Sequence, residues 1–189
     1  QETLQMIADL SNARGASGFE DETVQAAAKH IGEGYTTEED CLRNFYMYRT
    51  ANSGNKPVFM LDAHSDEVGF MVHSIRPNGT LRFVALGGWN VGSLASSKVL
   101  VRNSEGKYLP GVIAAKPVHF MSASEKASAG AADISSLSID IGAVSAKDAA
   151  ENFKIRIGEP GVPDVTLEYD EEHDLMFGKA FDCRIGCAA

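Results

Sequence analysis

A series of short β-like segments between residues 69 and 142 constrains the fold of this chain more than any other feature. Turn signals such as Pro77-Asn78-Gly79 separate these segments, and no long amphipathic helix interrupts them. Several short strands at nearly regular spacing are typical of a small barrel or a sandwich. The predicted strands are residues 69–75, 80–86, 97–102, 107–114 and 137–142.

The residues before this β-rich stretch follow a different pattern. Apolar residues at helical spacing predict a short helix over residues 3–12, and acids at 20–22 begin a second helix. A strand is predicted over residues 42–49. The mostly apolar run 57–63 predicts a further strand, buried on both faces of a sheet. Helices followed by a buried strand indicate an α/β layer architecture.

The pattern changes a third time after the β-rich stretch. Residues 123–136, rich in Ala, Ser and Gly, predict a mobile surface loop. Pro160–Pro163 predicts a domain boundary, and residues 165–169 resume as a strand. This order fits a β module inserted into an α/β domain. It fits equally well two consecutive domains followed by an incomplete third.

The composition of the 189 residues excludes several classes of protein. Acids outnumber Lys and Arg by 26 to 17, and this net charge of -9 disfavours binding to nucleic acid or to an anionic membrane. No apolar run approaches the roughly 18 residues of a transmembrane helix, and the first ten residues lack a signal-peptide pattern. Three cysteines suit a reducing compartment, so we expect a cytoplasmic protein. P-loop, dinucleotide-binding and nucleophile-elbow motifs are absent.

The segment His64-Ser65-Asp66-Glu67 follows directly on the predicted buried strand. Ligands of open α/β sheets bind outside the carboxyl ends of strands, and a neutral imidazole is a good metal ligand there. Asp66 could orient that imidazole or bind a metal itself. The alternative is a solvated loop that happens to contain a histidine.

Asp182 follows a second short apolar stretch. Its carboxylate could bind a metal or bridge two ions, or it could cap a helix that begins at Cys183. Cys183 and Cys187 are expected to be core cysteines, because the partner ligands of a two-thiol zinc site are missing from the sequence. The other histidines are expected to be structural or on the surface; they are His30, His73, His119 and His173.

Together these segments resemble the co-catalytic metallo-aminopeptidases of clan MH, and they do so in order along nearly the whole chain. That family comprises glutamyl, leucyl and lysyl aminopeptidases and the tetrahedral aminopeptidases, and some members were once labelled cellulase or endoglucanase. The segments that carry the resemblance are Met60–Val72, Leu81-Arg82-Phe83, Gly87-Gly88-Trp89, Gly111-Val112-Ile113, Lys116-Pro117-Val118-His119, Ile139–Ala143 and Gly178–Cys187.

The resemblance implies an α/β fold with two domains. The first is an α/β/α catalytic domain formed by residues 1–69 and 162–189, incomplete at its C-terminus. The second is an inserted small β-barrel or PDZ-like domain over residues 70–161, used in assembly from dimer to dodecamer. The implied reaction is hydrolysis of the first peptide bond of short peptides with a free N-terminus, by a metal-activated water.

The resemblance also implies roles for three residues. His64 would bind one of two divalent ions (Zn²⁺, Co²⁺ or Mn²⁺), Asp182 would bridge the two ions, and Asp66 would serve catalysis as the acid that orients His64. Ser65 stands where the family commonly has Met, and Arg43 stands where it commonly has Gly; neither replaces a ligand.

The greater departure of the sequence is its length. The family's paired glutamates, a further metal-binding acid and the last metal-binding histidine come later in its chains, so residues 1–189 alone are expected to be inactive. Two other functions remain open at this stage. A non-catalytic binding or assembly module would form oligomers without turnover. An endoglucanase would need two carboxylates flanking the scissile bond, whereas Asp66 and Glu67 are adjacent and diverge on an extended backbone.

Overall fold

A computed structural model describes residues 2–52, 54–55, 57–123 and 133–189, and these form two compact units. The split unit runs from the N-terminus to Glu67 and resumes at Thr166–Ala189, and the barrel unit is Val68–Val165. No helix in the described ranges is long and apolar enough to cross a membrane. The roles predicted for the two domains, catalysis and assembly, stay predictions.

Both units contain α-helices and β-strands. The α-helices are α1 (Glu2–Asn12), α2 (Asp21–Lys29), α3 (Ala146–Glu151) and α4 (Phe181–Ala188). The strands are β1 (Tyr35–Glu39), β2 (Phe45–Arg49), β3 (Gly69–Ile75), β4 (Leu81–Leu86), β5 (Lys98–Arg102), β6 (Tyr108–Ala114), β7 (Ser138–Asp140), β8 (Pro160–Pro163), β9 (Glu168–Asp170) and β10 (Leu175–Phe177). Short 3-10 helices are Val91–Ser93, Val118–Phe120 and Ile134–Ser136.

The barrel unit is a closed barrel of six antiparallel strands in the order β3-β4-β7-β6-β5-β8. The prediction of a small barrel is therefore confirmed, and the five predicted strands match β3 to β7 within about two residues at each end. Alternate side chains point into the barrel, because successive residues of a strand face opposite sides. Phe70 is buried there, edge-on to Phe83 with ring centroids 4.9 Å apart and stacked on Trp89 at 4.8 Å.

The segment Pro160–Pro163, where a domain boundary is predicted, is itself the strand that closes the barrel, β8. It pairs on one side with β3, where Phe70 faces Gly161, and on the other with β5, where Leu100 faces Val162. A Cβ on Gly161 would lie 3.3 Å from the Leu100 carbonyl oxygen, so glycine permits the close approach of the two backbones. The barrel unit consequently extends to Val165 and crosses the predicted limit at residue 161.

The split unit has a small core between its helices. Leu10, Ala13 and Ala26 are buried there, with Cys187 of α4 packed against them. Helices α1 and α2 agree with the predicted helices, and the strand predicted over residues 42–49 appears as β2, paired antiparallel with β1. The strand predicted over 165–169 appears as β9, in a hairpin with β10.

The prediction of a buried strand over residues 57–63 is wrong for the described part of the chain. This segment has no regular secondary structure, and the side chains of Phe59 and Leu61 are 93% and 92% exposed. An apolar run becomes a buried strand only where neighbouring strands pair with it and layers cover both faces, and the described residues of the split unit form only two-stranded sheets. The α/β/α layering and the PDZ-like character stay predictions. Of the loop predicted over 123–136, residues 124–132 lie outside the described ranges.

Gly79→Ala is expected to destabilise the barrel unit much more than Gly158→Ala. Both glycines have a left-handed backbone, with φ of +88° and +90°, so each substitution costs about 1–2 kcal/mol for that conformation. Only at Gly79 would the new methyl group overlap the carbonyl oxygen of Ala143, whereas nothing lies within 4 Å at Gly158. Urea unfolding followed by the fluorescence of the single tryptophan, Trp89, measures both variants. Equal loss of stability would contradict the predicted overlap.

Candidate metal centre

His64 lies on an irregular segment that a short backbone contact holds in place. Glu67, three residues after His64, forms an isolated β-bridge with Ala16. The backbone amide of Glu67 donates a hydrogen bond to the Gly15 carbonyl oxygen at 2.8 Å. The His64 ring is about half exposed, and its Nδ1 lies 3.0 Å from Asp66 Oδ1. A carboxylate at that distance accepts the Nδ1 proton, so the Nε2 atom of the neutral ring keeps its lone pair.

Asp182 comes from the other end of the split unit and meets His64 at that free nitrogen. Asp182 Oδ1 lies 3.5 Å from His64 Nε2, which is longer than the 2.7–3.2 Å of an N–H···O hydrogen bond. The thiol of Cys183 completes a group of three donor atoms that all lie within 4.8 Å of one another. Among the residues that the structure describes, no other group of three His, Cys, Asp or Glu side chains meets this criterion.

The backbone at the start of α4 exposes the Asp182 carboxylate. The cap position belongs to Ala180, which has a left-handed backbone with φ of 57°, and no side chain caps the helix. Asp182 and Cys183 are themselves non-helical, and the Asp182 side chain is 98% exposed. The interpretation of Asp182 as the helix cap is therefore wrong, and its carboxylate is available to a ligand.

Three buried charged residues close in sequence to these donors, Glu67, Lys179 and Arg184, form a group that we call the Glu67 cluster. Glu67 Oε1 accepts a hydrogen bond from Lys179 Nζ at 2.8 Å and lies 3.7 Å from Arg184 Nη2. Burial lowers the pKa of Lys179 and that of Arg184, and the Glu67 carboxylate opposes both shifts. The hydrogen bond from Lys179 to Glu67 therefore connects the segment that contains Asp66 with the segment that precedes Asp182.

Arg184 also binds the backbone around the site. Its guanidinium is fully buried and donates to the carbonyl oxygens of Ser65 at 2.8 Å and Leu10 at 3.0 Å. A Cβ on Gly15 would lie 2.8 Å from Arg184 Nη2 and 2.5 Å from Thr23 Oγ1, so only glycine allows this approach. One side chain of α4 thus fixes both the His64 segment and the end of α1.

Comparison with known proteins decides the family. The model of the M42 glutamyl aminopeptidase family matches residues 44–189. The chain belongs to this family.

Similar proteins agree with that assignment. Glutamyl aminopeptidase of Lactococcus lactis subsp. cremoris is 32% identical over 98% of this chain and 52% of its own length. The crystal structure of the TET aminopeptidase from the marine sediment archaeon Thaumarchaeota archaeon SCGC AB-539-E09 has a TM-score of 0.88 and 32% identity, covering 97% of this chain and 50% of that one.

A more distant structure shares the fold. The Pyrococcus horikoshii TET1 peptidase, described as able to assemble into a tetrahedron or a large octahedral shell, has a TM-score of 0.78 at 23% identity, over 98% of this chain and 53% of that one. The chain spans about half the length of the curated M42 relatives it matches.

The structure of this M42 chain brings together His64, Asp66 and Asp182 and separates Glu67 from them. Because the Glu67 carboxylate is buried and bound to Lys179, it cannot flank a glycosidic bond together with Asp66. The geometry therefore offers no support for an endoglucanase.

The sequence does not predict the buried contacts of Lys179 and Arg184, although both residues lie in a segment that carries the family resemblance. The one available signal was Glu67, because a buried carboxylate needs a cation to compensate it. Its partner is 112 residues away along the chain, and the sequence does not indicate which of 17 basic residues that would be.

The remaining cysteines and histidines mostly match expectation. Cys187 is half-buried against the helical core, and burial raises the pKa of its thiol. Cys183 differs, because its sulfur lies among the donor atoms rather than in the core cluster. His30 pairs with Asp9 and His173 with Asp170, while His73 and His119 are exposed.

Glu67→Gln is expected to destabilise the split unit by about 3–5 kcal/mol, because it leaves two buried cations without their carboxylate. Adding Lys179→Met to this variant should recover part of the loss, since it removes one of those cations. Thermal unfolding followed by the helical circular-dichroism signal measures the effect.

The matched control for this experiment is an ion pair on the surface of the same unit. Asp21 lies 2.7 Å from Arg43, with both side chains exposed, so Asp21→Asn should cost no more than about 1 kcal/mol. If both single variants unfolded alike, the buried charges would not be what holds the two segments together.

Proposed function

We propose that the protein is a metal-dependent aminopeptidase, a hydrolase that removes N-terminal amino acids from short peptides. The observation that carries the proposal is the pair His64 Nε2 and Asp182 Oδ1, 3.5 Å apart in a chain of the M42 family. The names of its relatives support peptide hydrolysis from the N-terminus.

The donor atoms fit a divalent ion. Two ligands bound at 2.0–2.1 Å to a tetrahedral ion lie roughly 3.3–3.4 Å apart, close to the separation of His64 Nε2 and Asp182 Oδ1. Imidazole nitrogen and carboxylate oxygen are both accepted by Zn²⁺, Co²⁺ and Mn²⁺. The exposure of the Asp182 carboxylate leaves its second oxygen free, which is what bridging a second ion requires.

The proposal assigns a role to Asp66 and to the Glu67 cluster. Asp66 holds the Nδ1 proton of His64 and so keeps the Nε2 lone pair directed at the ion. The Glu67 cluster holds the segment that contains His64 in contact with the segment that contains Asp182. When bound, the divalent ions supply an acidified water as nucleophile and polarise the scissile carbonyl.

We propose further that the protein self-associates, as the TET1 relative is described as doing, and that the barrel unit makes the contacts between subunits. The strands of the barrel form a closed order, and β4 pairs with β7 only where Leu81 faces Ile139. The outer face also offers apolar surface to a second copy, where Val84 and Val112 are each 43% exposed. A cytoplasmic location also stays a prediction.

At the full length of its M42 relatives, the protein is expected to release N-terminal residues from unblocked di- and tripeptides and to leave their N-acetylated forms intact. A chelator should abolish the release, and Zn²⁺, Co²⁺ or Mn²⁺ should restore it. His64→Ala should lower the rate by more than about 100-fold, since removing a ligand exceeds the 10–100-fold typical of outer partners. The control is His173→Ala, another exposed histidine paired with an aspartate. Oligomers without turnover under any added metal would instead support an assembly module.

Residues 1–189 on their own are expected to be inactive. They supply His64, Asp182 and the Cys183 thiol as grouped donors within the described ranges, whereas two ions need several ligands each and the attacking water needs a general base. Chelator-sensitive release of amino acids by this 189-residue chain would contradict the expectation.

Asp66→Asn is expected to weaken metal binding by about 10–100-fold, because an amide no longer holds the His64 tautomer as a carboxylate does. Metal affinity measured by competition with a coloured chelator gives the result. Asp170→Asn is the matched control, since Asp170 makes the same kind of contact to His173 at 2.8 Å. Equal affinity in the two variants would remove Asp66 from the site.

A further inference from the structure

We propose that the thiolate of Cys183 is a third ligand of an ion bound by His64 and Asp182, and that the site therefore prefers soft divalent metals. The inference rests on the proposed function, because it concerns the same ion. It goes beyond that function by adding a sulfur donor and the metal preference that follows from it.

The positions of the donor atoms carry the first step. His64 Nε2 or Nδ1, an Asp182 carboxylate oxygen and Cys183 Sγ lie within 4.8 Å of one another. A Zn–S bond of about 2.3 Å beside Zn–N and Zn–O bonds of about 2.0–2.1 Å spans such a group with small side-chain adjustments. Three protein ligands with one position open is also the arrangement typical of catalytic zinc.

The backbone carries the second step. In a regular helix, consecutive side chains point in different directions and cannot both bind one metal ion. Asp182, with φ −89° and ψ 104°, and Cys183, with φ −120° and ψ 28°, both depart from helical geometry. The donor atoms of both consecutive side chains lie near the same histidine, His64.

The surroundings of the sulfur carry the third step. A Cβ on Gly186 would lie 3.1 Å from Cys183 Sγ and 3.0 Å from the Ala63 methyl group, so glycine leaves room for the thiol beside the His64 segment. The other thiol of α4 has a different place, because Cys187 Sγ lies 3.5 Å from the His64 carbonyl oxygen and packs against the helical core. Cys183 is thus the thiol of α4 that the donor group includes.

The chemistry of sulfur sets the expected preference. On binding, the thiol proton passes to solvent and the thiolate donates to the ion. Thiolate is a soft ligand that favours Zn²⁺ and its relatives, whereas Mn²⁺ and Mg²⁺ favour oxygen ligands. The protein should therefore retain Zn²⁺, Cd²⁺ or Co²⁺ in preference to Mn²⁺.

Cobalt substitution tests the inference through absorption rather than activity. The purified protein is freed of metal by a chelator, loaded with Co²⁺ and analysed for bound cobalt. A sulfur ligand gives an intense near-ultraviolet charge-transfer band that nitrogen and oxygen ligands lack. We expect the band in the parent protein, its loss in Cys183→Ser, and its persistence in Cys41→Ser and Cys187→Ser. Cadmium NMR of the unsubstituted protein gives a second readout that needs no variant, because sulfur ligation shifts the resonance to high frequency.

The possible results separate this inference from the proposed function. Bound cobalt that depends on His64 but shows no near-ultraviolet band would overturn the sulfur ligand and leave the aminopeptidase proposal standing. A band that survives Cys183→Ser and disappears in another cysteine variant would also overturn it. Failure of the parent protein to bind any of the metals would overturn both proposals.

Discussion

The buried contact between Glu67 and Lys179 is the constraint on which the rest of the candidate site depends. It joins two segments that are 112 residues apart in the sequence, and the barrel unit is encoded between them. Because both charges are buried, removing either one leaves the other without a partner and strongly destabilises the fold. Arg184 extends the contact to the carbonyl oxygens of Leu10 and Ser65. The buried contacts of Glu67, Lys179 and Arg184 therefore hold the segments that carry the exposed donors. A binding site supported in this way keeps its geometry while its ligands remain open to solvent.

The fold could be predicted from the sequence where local patterns and turn residues agreed. The strands of the barrel alternate in burial and are separated by turns such as the one around Gly79, so their periodicity was visible. β8 escaped prediction because prolines and glycine, which usually end a strand, serve here to close a barrel. The apolar run around Phe59 is the opposite case, because a strand is predicted where the structure has none. Its composition is that of a buried strand, but no neighbouring strand in the described residues pairs with it.

The site was predictable only in part. His64 and Asp66 are two residues apart, and their contact follows from that spacing. The meeting of His64 with Asp182 depends on long-range packing, so residue type and position within a motif indicated it and periodicity did not. Cys183 could not be placed from the sequence, because its location depends on two non-helical residues inside an apparent helix. The support beneath the site was invisible for the same reason, since ion pairs between distant segments leave no local pattern.

The closure of the barrel by β3 and β8 has a consequence for how such a chain can evolve. The chain enters the barrel at the start of β3 and leaves it after β8, and these antiparallel neighbours pair where Phe70 faces Gly161. The two points of attachment are therefore adjacent, and the whole barrel interrupts its host at what is effectively a single position. A module attached in this way can be enlarged, exchanged or deleted by recombination while the host chain continues across a short gap.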